Sequence, residues 1–212
     1  SALIALAETL DAAIMTSTGR DDVVPISHPL ALGSIGRGTL PDAISFFREA
    51  DVVLAIGTRL AHTTTFLKAD FFPEKTKLIH AAHDRRNVGR HHPVDVGMVG
   101  ETDLVLRCLL GEMGEGKTRP DWRKRIQAVR ETQEEYRESG NTLKGQPIDP
   151  RRAHAALARV LPKNAILTVD AGSATSYVYE YHRFEQPRSL LAPQDFAAIG
   201  IGYPIGLGAK LA

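Results

Sequence analysis

The sequence predicts an α/β protein built on a Rossmann-like, doubly wound parallel sheet, followed by a charged linker helix and an incomplete second α/β unit. Two nearly continuous apolar runs, residues 52–56 and 77–81, carry the first part of that prediction. Strands buried on both faces lose the alternation that half-exposed strands show. Segments of helical spacing separate such runs, and strands joined through helices lie parallel with right-handed crossovers. After a charged stretch, the same alternation begins again at Ile148.

Each element follows from local chemistry. In Ala2–Leu10, Leu3, Leu6 and Leu10 fall at helical spacing. Residues 12–16 are a short apolar strand, and residues 19–29, rich in Gly, Asp and Pro, a loop. Pro41 and Asp42 suit the first turn of a helix running through Phe46, Phe47 and Ala50. The buried strands 52–56 and 77–81 come next, then a weaker third at 94–99 and a helix over 103–110 with Cys108 packed in the core. Gly111, Gly114 and Gly116 loosen the chain before Pro120 and Asp121 open a highly charged helix. Its apolar positions Trp122, Ile126, Val129 and Tyr136 make one thin stripe, which suits a connector lying across a neighbour. Arg130 and Glu134 are spaced to pair on its outer face. Asp149 is the expected N-cap, and Pro150 the first residue, of a helix ending near Leu161. A strand at 165–169 leads into Asp170-Ala171-Gly172-Ser173, followed by a helix with Tyr177, Tyr179 and Tyr181. A short strand at Leu190-Leu191 and a Gly-rich turn then lead into a last helix. The expected units are a central domain at 1–112, a linker at 113–147 and a second unit at 148–212. A parallel α/β domain usually opens with a strand, and the last helix stops without a C-cap glycine, so the chain reads as a piece of something longer.

Composition removes several function classes. With 26 Lys+Arg against 25 Asp+Glu, the net charge of +1 gives no electrostatic footprint for nucleic acid. Apolar residues at 43% exclude a disordered chain. No apolar run approaches the ~20 residues of a membrane-spanning helix, so no membrane partner is expected. The single cysteine excludes an intrachain disulfide and fits a reducing, cytoplasmic compartment.

Three features could carry chemistry. Gly33-Ser34-Ile35-Gly36-Arg37-Gly38 could bring backbone N–H groups to an anion, but it is not G-x-G-x-x-G and reads first as a loop. His80, His83, Asp84, His91, His92 and Asp95 match no metal-ligand spacing, and no metal site is expected there. Asp84, just past a strand, stands where an acid hydrogen-bonds a ribose. The third feature joins Asp170-Ala171-Gly172-Ser173 to the Gly-rich turn 197–204. A strand, a small-residue turn and a helix N-terminus make anion-binding geometry, and two such turns can flank a diphosphate. A serine-hydrolase reading of Ser173 with His182 and Asp170 lacks the G-x-S-x-G elbow.

From Ile148 on, the chain resembles the cofactor-binding domain of thiamine-diphosphate-dependent enzymes of the acetolactate synthase/2-oxoacid decarboxylase superfamily. The residues that carry the resemblance are Asp170-Ala171-Gly172 and the run Ile199-Gly200-Ile201-Gly202-Tyr203-Pro204-Ile205-Gly206-Leu207-Gly208-Ala209-Lys210. The front is similar to that superfamily's central domain through His28-Pro29-Leu30-Ala31-Leu32-Gly33, the run 50–59, and Ile79-His80 with Asp84. The resemblance implies that Gly172 and Ser173 lie at the diphosphate of thiamine diphosphate. It also implies that Ile199 props the cofactor into its bent shape. It places FAD or ADP, where a member carries one, at Gly33, Gly36, Gly57, Thr58, Arg59 and Asp84, with Asp95 as a further candidate. Ala82 replaces the first acid of the I-D-x-D pattern, and Ser173-Ala174-Thr175 replaces a more polar triplet. The catalytic glutamate and the G-D-G magnesium motif of the superfamily do not occur here, so no catalytic residue is assigned within residues 1–212. The resemblance implies a parent enzyme, homodimeric or homotetrameric, that uses thiamine diphosphate and Mg2+ to make or break a C–C bond beside a carbonyl of a 2-oxoacid, these residues alone being inactive. The alternatives are a module binding FAD, ADP or NAD without thiamine chemistry, and a structural domain serving oligomer contacts.

Overall fold

A computed structural model describes residues 1–193 and 196–212. Helix α1 (Ala2–Leu10) begins where the Ser1 hydroxyl accepts the Ile4 N–H and ends at Asp11 in left-handed conformation. It feeds β1 (Ile14–Ser17), which pairs in parallel with β2 (Ala31–Ile35). Strand β2 corrects the sequence expectation, because the front of the Gly33–Gly38 segment is sheet and not loop. Gly33 and Ser34 broke the apolar run that would have revealed it. Helix α2 (Pro41–Phe47) starts on its proline as expected. Then β3 (Val52–Ile56), the short α3 (His62–Thr65), β4 (Lys77–Ala82), β5 (Val96–Val99) and α4 (Thr102–Glu112) follow. Strand β4 lies between β3 and β5, with both pairs parallel.

The long α5 (Pro120–Ser139) lies against the first unit and completes its core. Ile126 is 1% exposed beside Ile14, Leu30, Leu32 and Phe46, and Trp122 stacks on Phe46 with ring centroids 4.3 Å apart. The expected Arg130–Glu134 pair does not form. The Arg130 Nη1 instead donates to the carbonyls of Ile26, His28 and Ala31, in the loop before β2 and at its first residue, at 3.0, 2.9 and 2.6 Å. Glu134 instead meets Arg183 and Arg137. Cys108 is exposed, against expectation: Leu106 supplies the buried side of α4 and the thiol points away from it.

The second unit contains α6 (Pro150–Val160), β6 (Leu167–Thr168), α7 (Ala174–Tyr181), β7 (Leu190–Leu191) and α8 (Gly202–Leu211). Asp149 caps α6 through the Arg151 N–H, with Pro150 opening the helix. Strands β6 and β7 are parallel, and β6 is shorter than the expected 165–169 run. Val169, Val178, Tyr179, Phe184 and Leu190 form a separate small core. The two units are tied by backbone and side chain: the Ile26 N–H donates to the Phe184 carbonyl at 3.0 Å, and the Leu190 N–H to the Asp22 carboxylate at 3.2 Å. No helix among the described residues is long and apolar enough to cross a membrane.

Candidate functional site

The C-terminal ends of β1 and β3 come together where the Ser17 and Thr58 hydroxyls lie 2.7 Å apart. A cavity of about 410 Å³ opens there, lined from the first unit by Gly19, Arg20, Gly57, Thr58 and Arg59 and from the second by Ala192, Pro193 and Phe196. In open parallel sheets, ligands bind outside the carboxyl ends of the strands. Gly57 takes φ +65°, and a Cβ there would stand 3.0 Å from the Thr102 hydroxyl. The buried His80, 1% exposed, steadies this loop: its Nε2–H donates to the Thr58 carbonyl at 2.9 Å and its Nδ1 accepts the Gly89 N–H at 3.3 Å.

Three of the expected nucleotide residues, Gly57, Thr58 and Arg59, therefore share one cavity. Gly36 lies beneath it at φ +124°, where a Cβ would come within 2.3 Å of the Thr63 carbonyl and 2.5 Å of the Thr18 hydroxyl. Thr18 and Thr63 line the cavity, so Gly36 lets its floor pack. Gly33 sits in β2 facing Ile26, away from the cavity. Asp84 does not line it either. Its carboxylate accepts from the Arg86 backbone and guanidinium at 2.6–3.0 Å, which holds its pKa down at about 2. Asp95 is occupied by the Leu78 N–H and by Lys77, both at 2.9 Å, and those bonds lower its pKa. The histidines scatter: His83 pairs with Glu101 at 2.9 Å, and His92 is buried against Phe71 and Phe72. Among the described residues, no three His, Cys, Asp or Glu side chains converge to hold a metal ion.

The second pair of turns does converge. The Asp170 carboxylate accepts the Ile201 N–H at 3.0 Å, which brings the turn before α8 against the end of β6. Gly202 and Gly206 make that approach close: Cβ atoms there would stand 3.2 Å from the Asp170 nitrogen and from the Thr168 hydroxyl. Gly172, at φ +134°, has open space around it. Ser173 sits at the N-cap of α7 with its hydroxyl unused as a cap, and no acid occupies the first turn of that helix. The Thr175 and Ser176 amides already donate to the Gly172 and Ser173 carbonyls at 3.2 and 3.1 Å, which folds the turn onto the start of the helix. Ile199 is 91% exposed, so it is no part of a core.

Sequence reasoning missed Gly19, Arg20, Ala192, Pro193 and Phe196 as cavity residues. Gly19-Arg20 follows a strand as Gly57-Thr58-Arg59 does, so the same pattern would have found them. No signal marked Phe196, which is 92% exposed.

Residues 1–109 match the family model for the thiamine pyrophosphate enzyme central domain. The chain belongs to the thiamine pyrophosphate enzymes. It is 30% identical to a sulfoacetaldehyde acetyltransferase of Roseovarius nubinhibens over 97% of its length and 38% of that protein's. It is also 31% identical to a probable acetolactate synthase large subunit of Methanocaldococcus jannaschii, over 99% of its length and 36% of the relative's. A sulfoacetaldehyde acetyltransferase of Rhodobacter capsulatus is 29% identical over 99% of the chain and 39% of its own length. The chain thus spans less than two fifths of the curated relatives it matches. For a thiamine pyrophosphate enzyme, the local chemistry is compatible with the cofactor: an open glycine and a helix N-terminus with no acid in its first turn suit an anionic group, and an uncovered apolar side chain suits a ring.

Proposed function

We propose that these residues serve a thiamine-diphosphate- and Mg2+-dependent enzyme that makes or breaks a C–C bond beside a carbonyl, on a 2-oxoacid or a related small carbonyl compound. The convergence of the 170–173 and 199–202 turns through the Asp170–Ile201 hydrogen bond carries the reading. The names of the relatives, an acetyltransferase acting on sulfoacetaldehyde and a probable acetolactate synthase, support acyl-transfer chemistry. When bound, thiamine diphosphate would supply a nucleophilic carbon to add to a carbonyl and a cationic thiazolium ring to take up the electron pair of the bond being broken. Gly172 and Ser173 would hold its diphosphate at the turn before α7, and Ile199 would brace its rings. The cavity at Gly57, Thr58 and Arg59 would take FAD or ADP. We place the working enzyme in the cytoplasm as a homodimer or homotetramer, and residues 1–212 on their own would turn over no substrate.

The test is turnover by the whole protein. Pyruvate, alone and with sulfoacetaldehyde, should be consumed only when thiamine diphosphate and Mg2+ are both present. No consumption of either compound, from protein shown to bind the cofactor, would remove the substrate class. A rate independent of thiamine diphosphate would remove the mechanism.

A further inference from the structure

Helix α8 has a poor start of its own. Its N-cap is Ile201, which has no polar side chain to receive the orphan amides of a first turn. A carboxylate from elsewhere in the fold takes up one amide at that end, the N–H of the N-cap residue itself. Asp170, at the end of β6, accepts the Ile201 N–H at 3.0 Å, and its second oxygen would lie 3.4 Å from a Cβ on Gly202. Its negative charge stands at the positive end of α8. The same residue anchors the other turn: the Thr175 hydroxyl donates to the Asp170 carbonyl at 2.9 Å and to the Gly172 carbonyl at 2.8 Å. One residue therefore belongs to both turns, through its side chain on one side and its backbone on the other.

We infer that Asp170 is a positioning residue, which sets the spacing between the turn of Gly172 and Ser173 and the turn of Ile199. Ile199 is 91% exposed, so packing does not hold it, and its place depends on the backbone on either side. On the C-terminal side that backbone is tied to β6 by Asp170. A cofactor that spans both turns needs them at one separation, and a displacement of ~1 Å can cost on the order of 100-fold in rate. Asp170 touches no reacting atom in this role. It acts through Ile199 and the α7 turn.

The inference rests on the thiamine-diphosphate reading, and the experiment separates the two. In the whole protein without cofactor, amide hydrogen exchange at Ile201 reads the clamp directly. Asp170→Ala should speed that exchange at least ~10-fold while amides of β3 and β4 stay protected. Asp170→Asn keeps an acceptor oxygen and should stay within ~3-fold of the parent. Calorimetric titration should then give the Ala variant a thiamine diphosphate Kd raised about 10-fold and a kcat lowered more than that, with the Asn variant restoring most of both. If the Ala chain fails to fold, Asp170→Ser, whose hydroxyl is too short to reach Ile201, is judged by the same three readouts. Unchanged Ile201 exchange in the Ala or Ser variant, or an Asn variant as defective as Ala, would overturn the assignment. Failure of the unmodified protein to bind thiamine diphosphate, with Ile201 still protected by Asp170, would overturn the cofactor reading and leave the clamp standing as a structural cap.

Discussion

Ile199 and Asp21 show how far single side chains can be read. Ile199 is 91% exposed and β-branched, a stiff apolar group that stabilises nothing in the described structure. Ile199→Ala should leave the melting temperature of the whole protein within about 1 °C, since surface substitutions rarely matter to stability. The same change should lower kcat on the order of 100-fold if the side chain braces the cofactor. Ile199→Met, another bulky apolar group, should keep most of the rate. A normal kcat in the Ala variant would remove Ile199 from the site. Asp21 is the opposite case, buried with its carboxylate accepting the Gly19 N–H at 3.2 Å. Burial pushes its pKa up to about 7, against the hydrogen bonds from Ser34 and Gly19 that favour the charged form. Between pH 4 and 7 the folded carboxyl keeps a proton that the unfolded chain has released, so stability falls as pH rises through that window. Asp21→Asn should therefore stabilise by on the order of 2 kcal/mol at pH 8 and change little at pH 4. Urea unfolding at the two pH values checks it, and an equal effect at both would contradict the burial argument.

Among the elements, α5 and the α6–α7 pair depend on polar groups that the hydrophobic pattern does not reveal. Arg130→Met keeps the stem of the side chain and removes three hydrogen bonds to the carbonyls of Ile26, His28 and Ala31. It should cost about 2–3 kcal/mol, seen as a lower urea midpoint with an unchanged m value. A midpoint like the parent's would mean that water replaces the guanidinium there. Between α6 and the end of α7, His154 Nδ1 and His182 Nε2 lie 3.3 Å apart. Burial, with His154 beside it, pushes His182 down to about 4, and burial also lowers His154. Below pH 6.5 the unfolded histidines take up protons that the folded pair refuses, so stability is lost as pH falls from there towards 4. The loss should reach up to about 3 kcal/mol, and His182→Gln should flatten it. An identical pH slope in the variant would place the acid sensitivity elsewhere. At this scale the sequence was legible where one signal dominated. Pro41, Pro120 and Pro150 marked helix starts, and the apolar runs marked β3 and β4. It misled where spacing was compatible with two partners: Arg130 could reach Glu134 but was needed by three carbonyls, and Cys108 lies among leucines yet on the exposed side of α4.

For the molecule as a whole, the parallel pairing among β3, β4 and β5 and of β6 with β7 was legible, because apolar runs alternating with helical segments admit little else, whereas the pairing of β1 with β2 was not, since β2 itself went unread. The part contributed by the second unit to the cavity was not, since Ala192, Pro193 and Phe196 come within reach of Gly57 only through tertiary folding. The 170–173 and 199–202 turns were legible as a pair from their glycines, but the hydrogen bond that joins them needed the structure. The central claim is that these turns hold thiamine diphosphate, and its most direct measurement is calorimetric titration of the whole protein with thiamine diphosphate in the presence of Mg2+. One cofactor per chain should bind saturably, with affinity sharply reduced when the metal is chelated. No saturable binding at millimolar cofactor and Mg2+, in protein shown to be folded by its circular dichroism, would contradict the account.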